Sequence, residues 1–415
     1  MNTTEIKRKF ITIAKWLLLC ILIGGVVGST TALFLRTLDA VTDWRENNLW
    51  IIYGLPIAGL SIGALYHFWG QEVKRGNNVL IEAHQKKQGR IPLMMAPLIF
   101  ITTIITHLVG GSAGREGTAV QMGGAIADQF TGIFKLTTEQ RQTILIIGIS
   151  AGFAAVFGTP IAGAVFALEM MLFKNIKIID AIPSFVTAYI AHFVCVAWGV
   201  HHTVYLINNI PAFNYINLLW AIPAGAIFGI AAMLFTYSGI FWNNFFKKIK
   251  NKLLIPVLGG MILAILIHYI NTTKYIGLGI PTIIDAFENP ANKYDFFIKI
   301  LFTTFTLSAG FKGGEVTPLF FIGATLGNVL IWFIPLPMAL LAGMGFVAVF
   351  AGATHCSIAS ILLGIELFGV EAGVFIAIAS VVSYFTSGPN GIYSAQIKQG
   401  AKYQLYNYIK RITTL

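Results

Sequence analysis

The segment PLMMAPLIFITTIITHLVGGSAGREGTAVQ, residues 92–121, contains an apolar run, a glycine-rich turn and the start of a second apolar run. Residues 92–110 carry no charged side chain, and Arg115 and Glu116 then stand side by side among glycines. A new apolar helix is predicted from Thr118. Backbone can stop and restart within a bilayer only where protein encloses it. The segment therefore predicts a charged turn at a helix N-terminus inside a membrane protein.

The composition agrees with a chain that crosses a membrane many times. Of the 415 residues, 56% are hydrophobic and 11% charged, with a mean hydropathy of +0.76; soluble domains have about 25% charged residues. Residues 181–246, 253–270 and 316–365 contain no Asp, Glu, Lys or Arg, and a spanning helix needs about 20 apolar residues. We predict an all-α, polytopic membrane protein. The first span is Trp16–Leu35, which is too long for a cleaved signal peptide.

The net charge of +11 is concentrated in four clusters. The excess of Lys and Arg in cytoplasmic loops of membrane proteins accounts for such clusters without a nucleic-acid partner. We therefore expect an integral protein of a prokaryotic inner or plasma membrane, with both termini cytoplasmic and no nucleic-acid binding. The clusters are Lys7–Lys15, Lys74–Arg90, Lys247–Lys252 and Lys398–Arg411.

Enzyme chemistry is not favoured by the sequence. The three cysteines stand singly in apolar segments, and the eight histidines show no metal-ligand spacing, so neither a metal nor another cofactor is expected. GGSAG (110–114) fits the G-x-S-x-G pattern of serine hydrolases, and His107 is near Ser112 in sequence. The strand–turn–helix context of that pattern is absent from an apolar helical chain, which leaves a membrane-embedded hydrolase as a remote alternative.

The apolar segments are uneven in length and interrupted by many of the 42 glycines. Such segments are typical of broken helices that line a cavity within the membrane. The predicted helical segments are 16–36, 51–69, 92–110, 119–133, 142–173, 178–201, 214–246, 253–270, 297–310, 317–333, 336–351, 357–386 and a last one from about 391.

Two blocks of sequence occur twice in the same order. SAGREGT (112–118) precedes GFAAVF (152–157), and SAGFKGGEVTP (308–318) precedes GFVAVF (345–350). Glu169 and Glu366 follow the two GF blocks. The separation of roughly 190–200 residues, with four inserted residues in each second-half block, predicts an inverted-topology repeat of two halves. The predicted halves are 1–205 and 206–415, and transporter repeats commonly form a binding site at their interface.

The charged turn has the chemistry of an anion site. The unpaired N–H groups and positive dipole end at a helix N-terminus favour an anion, and glycines let the backbone approach it closely. Glu116 is itself an anion that can occupy such a site, and burial favours its neutral form, in which it can leave. One residue is thus a candidate for both gate and proton carrier. The alternative is a structural contact between Arg115 and Glu116.

Four motifs together resemble the CLC chloride channel and transporter family over essentially the whole chain. GREGT (114–118) is similar to the family's GREGP, whose glutamate is the external gate. GFKGGEVTPLFFIGATLG (310–327) is similar to its second-half GxFxP motif. TPIAGAVFALE (159–169) resembles the segment after the gate helix, and GIYSA (391–395) resembles the segment with the anion-coordinating tyrosine, here Tyr393. The resemblance implies the CLC fold and a homodimer with a separate pathway in each subunit.

The departures from the family pattern are informative. RGNNVLIE (75–82) stands where most relatives have GSGIP, so Asn77 takes the place of the anion-site serine. Thr118 replaces the proline of the gate motif, and Glu315 replaces a hydrophobic residue. The inner proton-transfer glutamate of many CLC antiporters falls at Met170 and is absent. These features resemble the branch of fluoride/proton antiporters.

The resemblance implies export of fluoride in exchange for protons, and hence fluoride resistance. Asn77 and Tyr393 would donate hydrogen bonds to the anion, which suits fluoride because it is a strong acceptor. Glu315 would carry protons or organise the site, and Thr118 has the same two alternatives. Backbone anion contacts are expected from Gly314, Val316 and Thr317. The expected partners are fluoride, protons and lipid; no cytoplasmic regulatory domain is expected. A chloride/proton antiporter and a passive chloride channel are the alternatives.

Overall fold

The computed structural model describes residues 3–86, 89–172 and 177–413, which are helical except for turns, irregular segments and a single β-bridge. Short 3₁₀ turns lie at Leu49–Gly54, Leu330–Trp332 and Val370–Ala372. The helices are α1 (Thr3–Asn47), α2 (Leu55–Phe68), α3 (Asn77–Lys86), α4 (Met95–Leu108), α5 (Glu116–Ile133), α6 (Thr138–Phe157), α7 (Pro160–Leu172), α8 (Ile178–Ala197), α9 (Tyr215–Lys247), α10 (Leu254–Ile270), α11 (Ile280–Glu288), α12 (Asp295–Ser308), α13 (Val316–Val329), α14 (Met338–Thr354), α15 (Ser357–Phe368), α16 (Gly373–Thr386) and α17 (Ala401–Thr413).

The helices fall into two length classes. Within the described residues, five helical stretches are long and apolar enough to cross a membrane: α1, α2 with the 3₁₀ turn before it, α6, α8 and α9. Seven further apolar helices have 10–17 residues (α4, α7, α10, α13, α14, α15 and α16). About 20 residues are needed for a full span, so these helices can end within the bilayer. The predicted all-α membrane fold with broken helices is confirmed.

Two long segments that were predicted as continuous are each divided into two helices. Residues 142–173 contain α6 and α7, which are separated at Gly158 (φ 77°) before Pro160 starts the next helix. Residues 357–386 contain α15 and α16, which are separated at Gly369 (φ 90°). The left-handed backbone that glycine allows ends one helix, and proline is favoured at the start of another. A hydropathy profile detects neither the glycine that ends a helix nor the proline that starts one.

Two short helices, α3 and α11, were not predicted at all. α3 is too polar to register as an apolar segment, and it nevertheless begins at Asn77, one of the predicted site residues. At the C-terminal end, residues 388–400 form an irregular segment before α17. The long N-terminal helix α1 extends well beyond the predicted span at both ends.

The register of the repeat differs from the predicted one. The turns before α5 and α13 have the same backbone pattern, each starting at a positive-φ glycine, Gly110 or Gly310. Residues 101–120 and 301–320 therefore match without the predicted four-residue insertion. Arg115 then corresponds to Glu315, and Glu116 to Val316. The predicted register was wrong because it paired the Ser-Ala-Gly triplets 112–114 and 308–310, which are not equivalent positions.

Close helix packing gives the same correction for the second repeated block. Gly123 of α5 faces Gly148 of α6, and Gly323 of α13 faces Gly345 of α14. A Cβ on any of these glycines would overlap the facing helix, because small residues let helix backbones approach closely in membrane proteins. Gly345 thus corresponds to Gly148, about one helical turn from the GFAAVF glycine with which it had been aligned.

A buried ion pair fastens α5 to α6. Arg141 donates from Nε to Oδ1 of Asp128 at 2.6 Å and from Nη2 to Oδ2 at 2.8 Å. The Ile91 backbone N–H donates to the same carboxylate at 2.7 Å. Both side chains are buried, so each charge depends on the other for compensation.

We expect Arg141→Met to destabilise the protein by about 3–5 kcal/mol, because it leaves the Asp128 carboxylate buried without its cation. Lys9→Met is the control, since the Lys9–Glu5 pair is solvent-exposed and such pairs contribute about 0–1 kcal/mol. Thermal unfolding of the purified variants in one detergent measures the difference. Equal melting temperatures for the two variants would contradict this role of the pair.

Candidate anion site

Two helix N-termini meet at the centre of the molecule through backbone hydrogen bonds. Gly114 N–H donates to Gly314 O at 2.6 Å, and Gly314 N–H donates to Gly114 O at 2.7 Å. α5 begins two residues after the first glycine and α13 two residues after the second. The first-turn N–H groups of both helices, which have no partners within their own helix, are therefore brought close together.

The Glu116 carboxylate lies at the N-terminus of α13. Its Oε2 accepts from Thr317 N–H at 3.0 Å, and its Oε1 accepts from Thr317 Oγ1 at 2.5 Å. The Arg115 N–H also donates to Oε2, at 3.2 Å. The side chain of Glu116 is 1% exposed. A buried carboxylate thus occupies the position at which the backbone of α13 attracts an anion.

Arg115 contributes less to holding the carboxylate than Thr317 does. Its Nε lies 3.8 Å from Glu116 Oε1, which is beyond hydrogen-bond distance. That buried Nε has no hydrogen-bond partner among the described residues. Arg115 therefore supplies positive charge near the Glu116 carboxylate without fixing its geometry.

Gly117 is the point where the predicted polar residues approach α5. A Cβ placed there would lie 2.9 Å from Gly314 Cα, 3.4 Å from Asn77 Nδ2 and 3.8 Å from Glu315 Oε2. The amide of Asn77 and the carboxyl group of Glu315 are thus both close to the residue that follows Glu116. Glycine is required here because the two turns approach too closely for a side chain.

A small cavity connects Asn77, Glu315 and Tyr393. It has a volume of about 130 Å³, and all three residues line it. Asn77 is buried at the start of α3, and its Oδ1 has no hydrogen-bond partner among the described residues. Tyr393 is buried and packs edge-on against Phe166. The two predicted anion donors and the predicted second carboxyl group therefore share one polar space.

Asn78, which the sequence analysis did not select, ties these donors together. Its Oδ1 accepts from the Ala395 N–H at 2.9 Å and from Ser394 Oγ at 3.3 Å. The start of α3 is thereby joined to the segment that carries Tyr393. Of the two asparagines in GNN, only Asn77 matches a family site position. No sequence signal shows which segment Asn78 binds.

A larger cavity of about 480 Å³ continues from the small one, and Glu315 and Tyr393 line both. Lys74, Arg75 and Lys398 also line the larger cavity. A neighbouring cavity shares Lys74 and Arg75 and is lined by Lys247–Lys252 side chains. Residues of three basic clusters therefore line two cavities that share residues with each other, and we call the 480 Å³ cavity the basic entrance to the candidate site.

Thr118 is bonded to a neighbouring helix and not to the Glu116 carboxylate. Its Oγ1 is within 2.8 Å of Thr103 Oγ1 of α4, and the residue is fully buried. Val316 is the first residue of α13 and is buried. The N–H of Gly314 is already bonded to Gly114, which leaves Thr317 as the second-half residue in contact with the carboxylate.

Glu169 and Glu366 cap helices across the two halves of the sequence. The Glu169 carboxylate accepts from Ile358 and Ala359 N–H at 3.2 and 2.8 Å, at the start of α15. The Glu366 carboxylate accepts from Ile161 and Ala162 N–H at 3.0 and 2.6 Å, at the start of α7. Met170, next to Glu169, is a buried apolar side chain.

Ser112 lies inside the protein between two helices. Its Oγ is 2.9 Å from Thr303 Oγ1 of α12, and the residue is buried. Its place is the irregular turn between α4 and α5, which lacks the strand of a nucleophile elbow. The G-x-S-x-G match is therefore a feature of helix packing.

Comparisons with known proteins agree with this architecture. Residues 58–388 match the family described as voltage gated chloride channel. The chain is 46% identical over 391 residues to a Pseudomonas syringae pv. tomato protein named chloride/fluoride channel protein, covering 92% of this chain and 86% of that protein. It is 27% identical over 382 residues to an H(+)/Cl(−) exchange transporter of Vibrio cholerae, covering 85% and 81%.

Solved structures show the same similarity. A crystal structure of a CLC-type fluoride/proton antiporter superposes with a TM-score of 0.90 at 33% sequence identity, covering 93% of this chain and 98% of that one. A slow cyanobacterial Cl⁻/H⁺ antiporter superposes with a TM-score of 0.78 at 19% identity, covering 91% and 96%. At that lower identity the likeness concerns the fold alone.

We expect Gly117→Ala to abolish anion transport while the protein still folds. The added methyl group would lie 2.9 Å from Gly314 Cα, so it would separate the two helix N-termini that form the site. Anion efflux from liposomes measures the loss, and size-exclusion chromatography checks folding. Gly25→Ala is the matched control, because a Cβ there meets nothing within 4 Å. Wild-type efflux from the Gly117→Ala protein would show that close approach is not required.

Proposed function

Because the chain belongs to the voltage gated chloride channel family, the CLC family, we propose that it is a fluoride/proton antiporter that exports fluoride and gives fluoride resistance. The observation that carries the proposal is the Glu116 carboxylate held by Thr317 N–H and Oγ1 at the start of α13. A protonatable anion there competes directly with a transported anion for the same donors. Exchange of the two couples anion movement to proton movement.

The gating step follows from charge. The ionised carboxylate of Glu116 is attracted by the N-terminus of α13 and accepts hydrogen bonds with both oxygens. Protonation removes the charge, so the carboxyl group loses most of that attraction and leaves. An anion then takes its place on Thr317. Glu116 is thus the gate and the proton carrier in this proposal.

The residues around Gly117 supply the donors for a fluoride ion. Fluoride is small and strongly hydrated, so a dry site must replace its water with hydrogen-bond donors. Asn77 offers an amide where a serine would offer one hydroxyl group, and Tyr393 offers a phenol. Support comes from the 46% identical relative whose name includes fluoride and from the 33% identical fluoride/proton antiporter.

Glu315 is the candidate second proton carrier. It lines both the small cavity at Asn77 and the large basic cavity, so it has access to the site and to the entrance. The inner glutamate position of many CLC antiporters holds Met170, which is buried and cannot carry a proton. We propose that protons pass between Glu116 and the entrance by way of Glu315.

We propose that the basic entrance faces the cytoplasm of a prokaryotic cell. Three basic clusters line its cavities, and a further cavity is lined by both Thr12 of the N-terminal segment and Ile397 of the C-terminal one. This shared cavity supports the proposal that both chain termini are cytoplasmic. The excess of Lys and Arg on cytoplasmic sides of membrane proteins supports the orientation. In this proposal fluoride enters the site from the basic entrance and leaves to the outside of the cell.

We also infer two inverted repeat halves, 1–205 and 206–415, and a homodimer with one pathway in each subunit. The Gly114–Gly314 bridge and the reciprocal caps by Glu169 and Glu366 support the repeat. The boundary falls in the irregular segment between α8 and α9. The dimer is supported by the resemblance to the family.

Reconstituted transport separates fluoride/proton exchange from its rivals. Liposomes are loaded with fluoride or chloride, an ion-selective electrode reads the anion, and a pH probe reads the proton. We expect a fluoride gradient to drive protons uphill and chloride to move much more slowly. Equal fluoride and chloride fluxes would contradict the fluoride assignment. Anion flux that never moves protons uphill would make the protein a passive channel.

We expect Glu116→Gln to abolish proton coupling, because an amide cannot exchange a proton and bears no charge for α13 to attract. The pH probe in the fluoride-loaded liposomes measures the coupling. Glu366→Gln is the matched control, since it removes a carboxylate that also accepts from helix N–H groups but lies at α7. Uphill proton movement by Glu116→Gln would refute the gate assignment.

We expect Asn77→Ser to lower the ratio of fluoride to chloride transport, because the substitution replaces amide donors by a single hydroxyl group. One hydrogen bond to a charged group contributes about 1.5–3 kcal/mol, so a change of about ten-fold or more in the ratio is expected. Electrode recordings with each anion measure it. Asn217→Ser is the control, because Asn217 lies in the first turn of α9 and its amide donates to Ala212 O. It should leave the ratio unchanged. An unaltered ratio in Asn77→Ser would remove Asn77 from the selectivity site.

A further inference from the structure

The C-terminal helix α17 carries a lysine that is completely buried. Lys402 has no exposed surface, and its Nζ is within 2.7 Å of His355 Nε2 and 2.8 Å of Ser387 Oγ. The ammonium also lies 4.6 Å from the centre of the Tyr384 ring. Among the described residues no carboxylate is within ion-pair distance of it. A buried amine with such partners is held in one geometry, because each contact compensates for lost water.

Both nitrogens of the His355 ring have a partner on α17: Nε2 is 2.7 Å from Lys402 Nζ and Nδ1 is 2.9 Å from Tyr403 Oη. A charged Lys402 has no lone pair, so it can only donate to Nε2, and Nδ1 then carries the ring proton. Two consecutive residues of α17 therefore contact the two ring nitrogens of His355. His355 itself ends α14 in the left-handed region, with φ 60°.

The His355 imidazole lies close to the segment that carries Tyr393. A Cβ added to Gly391 would lie 3.2 Å from His355 Nδ1, so the ring lies close to the backbone two residues before the tyrosine and leaves no room for a side chain there. The Ile392 N–H donates to Ala353 O, near the end of α14, at 2.8 Å. His355 and Tyr393 also line the same 480 Å³ cavity.

We infer that Lys402 is a positioning residue for the anion site: through His355 it sets the place of the Tyr393 hydroxyl group. The segment of residues 388–400 is irregular and has no helix of its own to hold the phenol. Asn78 binds the segment through Ser394 and Ala395, and the His355 ring lies close to it at Gly391. Lys402 thereby links the C-terminal helix to the affinity of the site for its anion. This inference rests on the proposed function, in which Tyr393 donates to fluoride.

A double-mutant cycle tests the inference in reconstituted full-length protein. Lys402→Met keeps the length of the side chain and removes the ammonium group. We expect it to raise the fluoride concentration for half-maximal transport about ten-fold, with a smaller change in maximal rate. Lys410→Met, an exposed lysine of the same helix, is the control and should leave both unchanged.

The second arm of the cycle is made in the Tyr393→Phe background. If Lys402 acts through the phenol, Lys402→Met should change half-saturation less than two-fold there, because coupled residues are not additive. An equal effect in both backgrounds, or no effect in the wild type, overturns the inference. If Lys402→Met does not fold, Tyr403→Phe removes one hydroxyl group of the same network and takes its place in the cycle.

The two proposals fail differently in this experiment. Absence of fluoride-driven proton movement in the wild type, or an unchanged half-saturation in Tyr393→Phe alone, contradicts the proposed function. A clear effect of Tyr393→Phe that simply adds to that of Lys402→Met leaves the proposed function in place and overturns only the positioning role.

Discussion

The contact between the Glu116 carboxylate and the first turn of α13 is the interaction on which the site depends. An ionised carboxylate is costly inside a membrane protein unless its oxygens accept hydrogen bonds, and here Thr317 and the Arg115 N–H provide them. Those donors converge because two helices start at the same place. That convergence depends on the backbone hydrogen bonds between Gly114 and Gly314. Glycine is needed at both positions because a Cβ would collide with neighbouring atoms at this distance.

The same device occurs elsewhere in the protein with a different result. Glu169 and Glu366 also place carboxylates on helix N-termini, and each accepts two backbone N–H groups. They join α7 and α15 reciprocally and so fasten the two halves of the sequence together. Glu116 differs in that a hydroxyl group supplies its shortest hydrogen bond and the residue that follows it lies close to Asn77 and Glu315. The polar surroundings, and not the helix N-terminus alone, therefore distinguish Glu116 from the two capping residues.

Much of the fold was predictable because hydropathy is a local property. The membrane class, the all-α structure and the charged turn before α5 followed from residues that are close in sequence. The divisions at Gly158 and Gly369 were missed because apolar content continues across them, although glycine followed by proline at 158–160 carried a signal for the first. The repeat register was wrong because short similar motifs recur in glycine-rich helices one turn apart.

The site was predictable in part for the same reason. Glu116 was selected from its own neighbourhood, and Asn77, Glu315 and Tyr393 from their similarity to family motifs. The contacts of Asn78, Lys402 and His355 were not predicted because their partners are far away in the chain. Lys402 was counted in a basic cluster, where a lysine is expected to meet water, and its burial follows only from the docking of α17 on α14 and α16.

The sequence by itself therefore determined that this is a helical membrane protein with a carboxyl group at a helix N-terminus, since apolar runs, glycines and charges act through adjacent residues. Only the tertiary structure decided which helix N-terminus receives that carboxylate, which side chains meet at Gly117, and how a buried lysine on the last helix reaches the segment of Tyr393. The contact between Glu116 and Thr317 joins residues 201 positions apart, and its geometry depends on helix packing that no local pattern encodes.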